Sequence, residues 1–256
     1  MYEVRATGIL STQPIDEGLE VPWGTVVHPG VLASHHQHIF SLRVDPMIEG
    51  HANRLVYEEA DAMPRDDFNP HGTGYTVSET LVQTSGGYDL DFDSNRTYKI
   101  QNTAVRNPVN GKPVAYKIAA PPFQKILSDT QSFNHKRAEF SDHNIYAVKY
   151  RDGELYAGGK YTNQSRGGTG VRSWANRKDG IVDEDIVVFV QFGINHVSPQ
   201  QHTQTRNPQT PTPCLAGSSL LTSPKDPPYR RLPRHALRNP QGRAETRQFF
   251  HPQPGY

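Results

Sequence analysis

The strongest constraint on the fold is a pair of apolar stripes with a strand period, each carrying histidine at one end. The first is Ser34-His35-His36-Gln37-His38-Ile39-Phe40-Ser41-Leu42-Arg43-Val44-Asp45. Side chains in a strand alternate faces. One face is therefore His36, His38, Phe40, Leu42 and Val44, and the other is Gln37, Ile39, Ser41, Arg43 and Asp45. An apolar face turns inward, so two imidazoles are carried toward the core. Burying a polar group without a partner costs about 1–3 kcal/mol, and a metal ion satisfies both imidazoles at once.

The second stripe runs from Asp185 to His196 and puts Val188, Val190, Phe192, Ile194 and His196 on one face. Histidine and aspartate come in the opposite order from the first stripe. Antiparallel pairing would therefore bring His196 to His36 and His38, and Asp185 to Asp45. Three imidazoles suit copper or zinc, whereas paired carboxylates with carbonyl oxygens suit calcium. The plainer alternative is a hydrogen-bonded core histidine and two solvated strand ends. The second histidine strand favours the metal.

These segments resemble the copper amine oxidase family. The likeness is carried by His35-His36-Gln37-His38-Ile39-Phe40-Ser41-Leu42-Arg43-Val44-Asp45, Tyr161-Thr162-Asn163-Gln164, Trp174, Asp183-Glu184-Asp185-Ile186 and Phe192-Gly193-Ile194-Asn195-His196, in register from about the first residues to His196. The resemblance implies that His36, His38 and His196 are the copper ligands. It also implies that Asp45 and Asp185, with the carbonyls of Pro46 and Ile186, form a structural calcium-type site. His35 matches no ligand, and its parity points it away. Other His-x-His families fit less well: Phe40 stands where a metallo-β-lactamase-like motif wants Asp, and Glu49 lies too far along for a cupin. Gly167-Gly168-Thr169-Gly170 lacks the ending of a phosphate-binding loop.

The resemblance further implies a homodimer that oxidises a primary amine with O₂ and water to an aldehyde, ammonia and hydrogen peroxide. The family's topaquinone cofactor is made from a tyrosine in an Asn-Tyr-Asp/Glu-Tyr setting. This chain has no Asn-Tyr dipeptide, and Tyr2-Glu3-Val4-Arg5-Ala6-Thr7-Gly8-Ile9-Leu10 resembles family sequence just after that tyrosine. The expectation is a fragment of the catalytic domain that holds the metal site, lacks the quinone tyrosine and the aspartate base, and is inactive alone. The alternative is a non-catalytic metal-binding β-sandwich or interaction module.

Composition changes sharply after His196. Eleven of the 21 prolines lie in residues 197–256, with eight Lys+Arg against two Asp+Glu, a charge of +6. Residues 1–196 hold 19 against 24, a charge of −5, so the overall +1 conceals two opposite parts. Such proline density removes backbone donors and breaks apolar periodicity. The expected organisation is a partial catalytic domain over 1–197 and a disordered Pro-rich basic tail over 198–256, arising from a frame change or retained intron in preference to a genuine interaction tail.

Within the first part the pattern is mostly strand: Thr25–Ala33, Ser34–Val44, Tyr75–Gln83, Tyr98–Gln101, Val114–Ile118, Asn144–Tyr150 and Ile186–Ile194. Asn110-Gly111 marks a hairpin, and one short helix is expected near Pro121–Ser128. The fold class is all-β, an antiparallel β-sandwich. No run approaches the roughly 20 apolar residues a membrane span needs, so neither a membrane nor a nucleic-acid partner is expected. No signal peptide follows Met1, and the single Cys214 gives no disulfide framework. The triplets at Asn95 and Asn163 mean little without secretion. A cytoplasmic or peroxisomal compartment is preferred over secretion.

Overall fold

The computed structural model describes Val4, residues 11–121 and residues 123–197. The expected tail over 198–256, and with it the domain boundary at residue 197, lies outside the described residues.

Eleven strands dominate. They are β1 (Gln13–Pro14), β2 (Gly24–His28), β3 (Val31–Ser34), β4 (His36–Val44), β5 (Arg54–Ala62), β6 (Tyr75–Leu81), β7 (Gly86–Tyr88), β8 (Thr97–Arg106), β9 (Pro113–Ile118), β10 (Ile145–Lys149) and β11 (Ile186–His196). They form three antiparallel sheets with orders β1-β3-β2, β4-β11-β10-β7 and β6-β5-β8-β9. The two four-stranded sheets pack face to face. Leu55, Tyr98 and Ile100 of one meet Ile145, Ala147, Ile186, Val188 and Val190 of the other, each buried aliphatic contributing about 1.5–3 kcal/mol. The antiparallel β-sandwich is the fold read from the sequence.

Three local readings are corrected. Thr25–Ala33 is a hairpin, not one strand: β2 and β3 pair back to back, and Gly30 adopts φ +72° in the turn between them, a conformation glycine takes at little cost. The helix expected near Pro121–Ser128 is absent among the described residues of that segment. The helices are instead α1 (Phe133–Arg137), capped by the Ser132 side chain accepting from the His135 amide, and α2 (Val171–Ala175), with a single 3-10 turn at Glu139–Asp142. Strand β5 was not foreseen, because Glu58, Glu59 and Asp61 hide its period. Glu58 is paired with Lys99 at 2.6 Å and the Glu59 carboxylate accepts from Arg96 Nε at 2.8 Å, both cations coming from β8 or the turn before it.

β11 is the spine of the sandwich. Its even residues face the core between the sheets, while Val187 and Phe189 join Tyr146, Val148, Val171, Trp174 and Ala175 in a second core on the far side. From Ile186 to Phe192 the strand is buried on both faces. The even stripe is one wall of two. β4 differs: it is an edge strand among the described residues, and its stripe is half-buried, with Phe40 at 36% exposure stacked on Phe192 at 5.5 Å. The histidine stripe is therefore carried to the margin of the core and not into it.

Candidate metal centre

The β4–β11 ladder is continuous from Val188↔Val44 to His196↔His36, with Ile194 opposite His38. This is the antiparallel register that the two stripes require, and it puts His36, His38 and His196 on one face. Gly193 allows the strands their closeness here, since a Cβ at that position would lie 2.1 Å from the carbonyl oxygen of His38. Shared parity of the three histidines fits this register, because a slip by one residue would move every side chain to the other face.

The three imidazoles converge. Ring centroids lie 4.8 Å apart for His36–His38, 4.8 Å for His36–His196 and 5.9 Å for His38–His196. One ring nitrogen from each falls within 4.8 Å of the other two, and all three residues are half-buried. His36 Nδ1 lies 2.9 Å from the Ser34 carbonyl, which can only accept, so that nitrogen holds the proton and Nε2 keeps its lone pair. Facing it at 3.1 Å is His38 Nε2, close enough to share an ion with it. Two bonds of about 2.0–2.1 Å meeting near 100° span roughly 3.1 Å, so this pair has the bite of two imidazoles on one ion. Burial, followed by the neighbouring His36 and His196, pushes the His38 imidazole below its ordinary pKa, which keeps it neutral and able to ligate. A donor set of three imidazoles fits a borderline ion such as Cu(II) or Zn(II).

A groove of about 690 Å³ runs past this end of the ladder, with His36 and His196 on its wall beside Trp23, Leu127 and Phe140. Gln37, Ile39 and Asn195 of the other face line it too, so the groove wraps around this end of the ladder. His35, exposed in the link before β4, is not in the cluster, as its parity implied.

The register brings Asp45 and Asp185 to the opposite end of the ladder and puts Pro46 and Ile186 beside them. Here each carboxylate has a cationic or polar neighbour. Asp45 pairs with Arg43 at 2.9 Å, and Asp185 Oδ2 lies 3.5 Å from His51 Nδ1. The other oxygen of Asp185 is buried with no hydrogen-bond partner, an acceptor facing nothing that donates. His51 was not picked out from the sequence. It carries no pattern there, and only the turn after β4 brings it to Asp185. A polar contact behind the histidines was missed as well. Gln37 and Asn195, register partners on the other face, bond each other at 2.9 Å. Their signal was visible as two amides at the same parity, one residue from each histidine.

Comparison with known proteins follows the same segments. A family model described as the enzyme domain of copper amine oxidase matches residues 1–205, so the likeness runs past His196, where the sequence reading ended it. The chain is 44% identical over 196 residues to copper amine oxidase 1 of Aspergillus niger, covering 76% of this chain and 29% of that protein. It is 34% identical over 203 residues to a peroxisomal primary amine oxidase of Pichia angusta, covering 76% and 29%. Among solved structures, a copper-containing benzylamine oxidase from Hansenula polymorpha superposes with a TM-score of 0.74 at 42% identity, over 78% of this chain and 32% of that one. The chain thus spans under a third of the length of these relatives.

Proposed function

The chain belongs to the copper amine oxidase family, and from that premise we propose that it carries the metal half of a primary amine oxidase. His36, His38 and His196 would hold Cu(2+), favoured over other first-row divalent ions by its general affinity for such donors. The observation that carries this reading is the cross-strand register that gathers three ring nitrogens within 4.8 Å. In the complete protein, bound copper together with topaquinone supplies the redox chemistry that turns a primary amine, O₂ and water into aldehyde, ammonia and hydrogen peroxide.

What this chain's own residues contribute is narrower. The Ser34 carbonyl accepts from His36 Nδ1 and leaves Nε2 facing the other rings, the strand pair sets the spacing of the three nitrogens, and a groove passes His36 and His196. We assign none of the tyrosines to the quinone and none of the aspartates to the catalytic base, since no Asn-Tyr dipeptide occurs. Asp45, Asp185 and the Pro46 and Ile186 carbonyls would bind Ca(2+) as a structural ion, supported by the buried unpartnered oxygen of Asp185. We also propose a homodimer and a cytoplasmic or peroxisomal location. The peroxisomal option is supported by the likeness to the peroxisomal primary amine oxidase of Pichia angusta. Among the described residues no helix is long and apolar enough to cross a membrane.

Titration of the full chain with Cu(II), followed by electron paramagnetic resonance, tests the central claim. One equivalent of copper with superhyperfine structure from three nitrogens is expected. The same spectrum from the triple variant H36A/H38A/H196A would overturn it.

A further inference from the structure

We infer that Gln37 is a positioning residue for the metal centre, and that its side-chain amide holds the His36–His38 end of β4 in ligating register. This rests on the metal-centre reading above and extends it to a residue on the opposite face of the sheet.

The mechanical problem lies in β4. Among the described residues it is an edge strand, hydrogen-bonded along one side by β11. An edge strand leaves a row of backbone groups without a ladder partner, and strand ends open most readily. His36 and His38 sit in that terminal turn of the ladder, where small displacements change the distance to His196.

Gln37 lies between the two histidines with opposite parity, so it points to the other face. There its amide makes three of the four hydrogen bonds open to it. Nε2 donates to the Lys125 carbonyl at 3.1 Å and to Asn195 Oδ1 at 2.9 Å, and Oε1 accepts from the Leu127 amide at 2.7 Å. Gripping one backbone carbonyl and one backbone N–H of the same short segment imitates the pairing of a neighbouring strand. The bond to Asn195 ties the clamp to β11, because Asn195 is the register partner of Gln37, flanked by His196 and Ile194 opposite His36 and His38.

The gripped segment is itself anchored. Lys125 Nζ bonds Asp89 at 2.6 Å, Asp89 accepts from the Asn144 amide at 3.1 Å at the entrance to β10, and the Ile126 amide donates to the Ser141 carbonyl at 3.3 Å. Gln37 thereby couples the edge of the sheet to its centre by a path that bypasses the ladder. Contacts that orient metal ligands from outside the coordination sphere typically contribute about 10–100-fold to affinity, and this clamp acts on two of the three proposed ligands.

The test compares Cu(II) affinity of the purified full chain and its variants by competition with a chelator, together with the copper resonance spectrum and the thermal midpoint of the metal-free protein. Q37L should bind copper about 10–100-fold more weakly, with broadened or altered nitrogen superhyperfine structure. N195A removes one of the three bonds at an exposed position and should lose less, about three- to tenfold, the size of one neutral hydrogen bond. It keeps the test decisive if Q37L does not fold. A lowered thermal midpoint with unchanged affinity and spectrum in both variants would show a merely structural clamp and overturn the inference. H38A separates the two claims. If it leaves copper affinity intact, the metal-centre reading fails and the positioning role falls with it. If it abolishes binding while Q37L and N195A match the unsubstituted chain, only the positioning role is lost.

Discussion

The two ends of the β4–β11 ladder gather like with like, yet their neighbours differ. At the histidine end three rings face one another, with His36 Nε2 and His38 Nε2 3.1 Å apart. At the aspartate end the carboxylates have taken what neighbours they could: Arg43 pairs with Asp45, and His51 approaches Asp185. The difference follows from charge. An imidazole has both a donor and an acceptor edge and can face another imidazole, whereas a carboxylate only accepts and draws cationic or donating neighbours.

The largest test of this contrast is at the histidines. His38→Ala should lower Cu(II) affinity by more than the roughly 100-fold that loss of a supporting contact costs. It should leave calcium-dependent stabilisation untouched, as read by parallel titrations. At the other end, Asp185→Ala should abolish stabilisation by calcium, worth about 2.7 kcal/mol at 100 times the dissociation constant, or about 5–10 °C in Tm for a domain of this size. Copper content should not change in that variant, and its loss would merge the two sites into one.

A smaller effect concerns acid. Burial opposes ionisation of Asp89, but bonds from His143, Lys125 and the Asn144 amide outweigh it and hold the carboxyl at about 2, below its usual 3.8. A depressed carboxyl stabilises the fold fully above its unfolded value and loses that contribution as pH falls through its folded one. The window is therefore about pH 4 down to about pH 2. Because the group is partly solvated, Asp89→Asn should cost only about 1–2 kcal/mol at neutral pH. The gap to the unsubstituted chain should close toward pH 2 in denaturant titrations. Should the gap persist there, the anchor behind the histidines is not electrostatic. The smallest expected signal is none: the chain with Cu(II) and O₂ should stay colourless in a quinone-cycling stain. Colour would mean that one of its twelve tyrosines had been converted.

Alternation made the histidine site legible before any coordinates, because His36, His38 and His196 share parity with apolar neighbours and register follows from which face is apolar. β5 was illegible for the opposite reason. Its Glu58 and Glu59 read as solvent-facing breaks, and only Lys99 and Arg96, some forty positions away, make them acceptable in a strand. The helix expected near Pro121–Ser128 has no counterpart among the described residues there, and α1 begins only after the Ser132 side chain caps the His135 amide. Gln37 showed its parity but not its partners, since the Lys125 carbonyl and the Leu127 amide are backbone groups that no side-chain pattern announces.

The position of β11 at the centre of both cores also sets a timetable. Gln37 and Asn195, joined by a hydrogen bond, are 158 positions apart. A ribosome adding about 5–20 residues per second leaves roughly 8–32 s between the synthesis of β4 and the arrival of its partner. Through that interval the stripe of Phe40, Leu42 and Val44 has no β11 to lie beside, and the sandwich has no middle. Non-local pairing of this kind is slow even in a finished chain. During synthesis the nascent protein is thus at its most adhesive just before β11 emerges, and a chaperone would find its longest opportunity there.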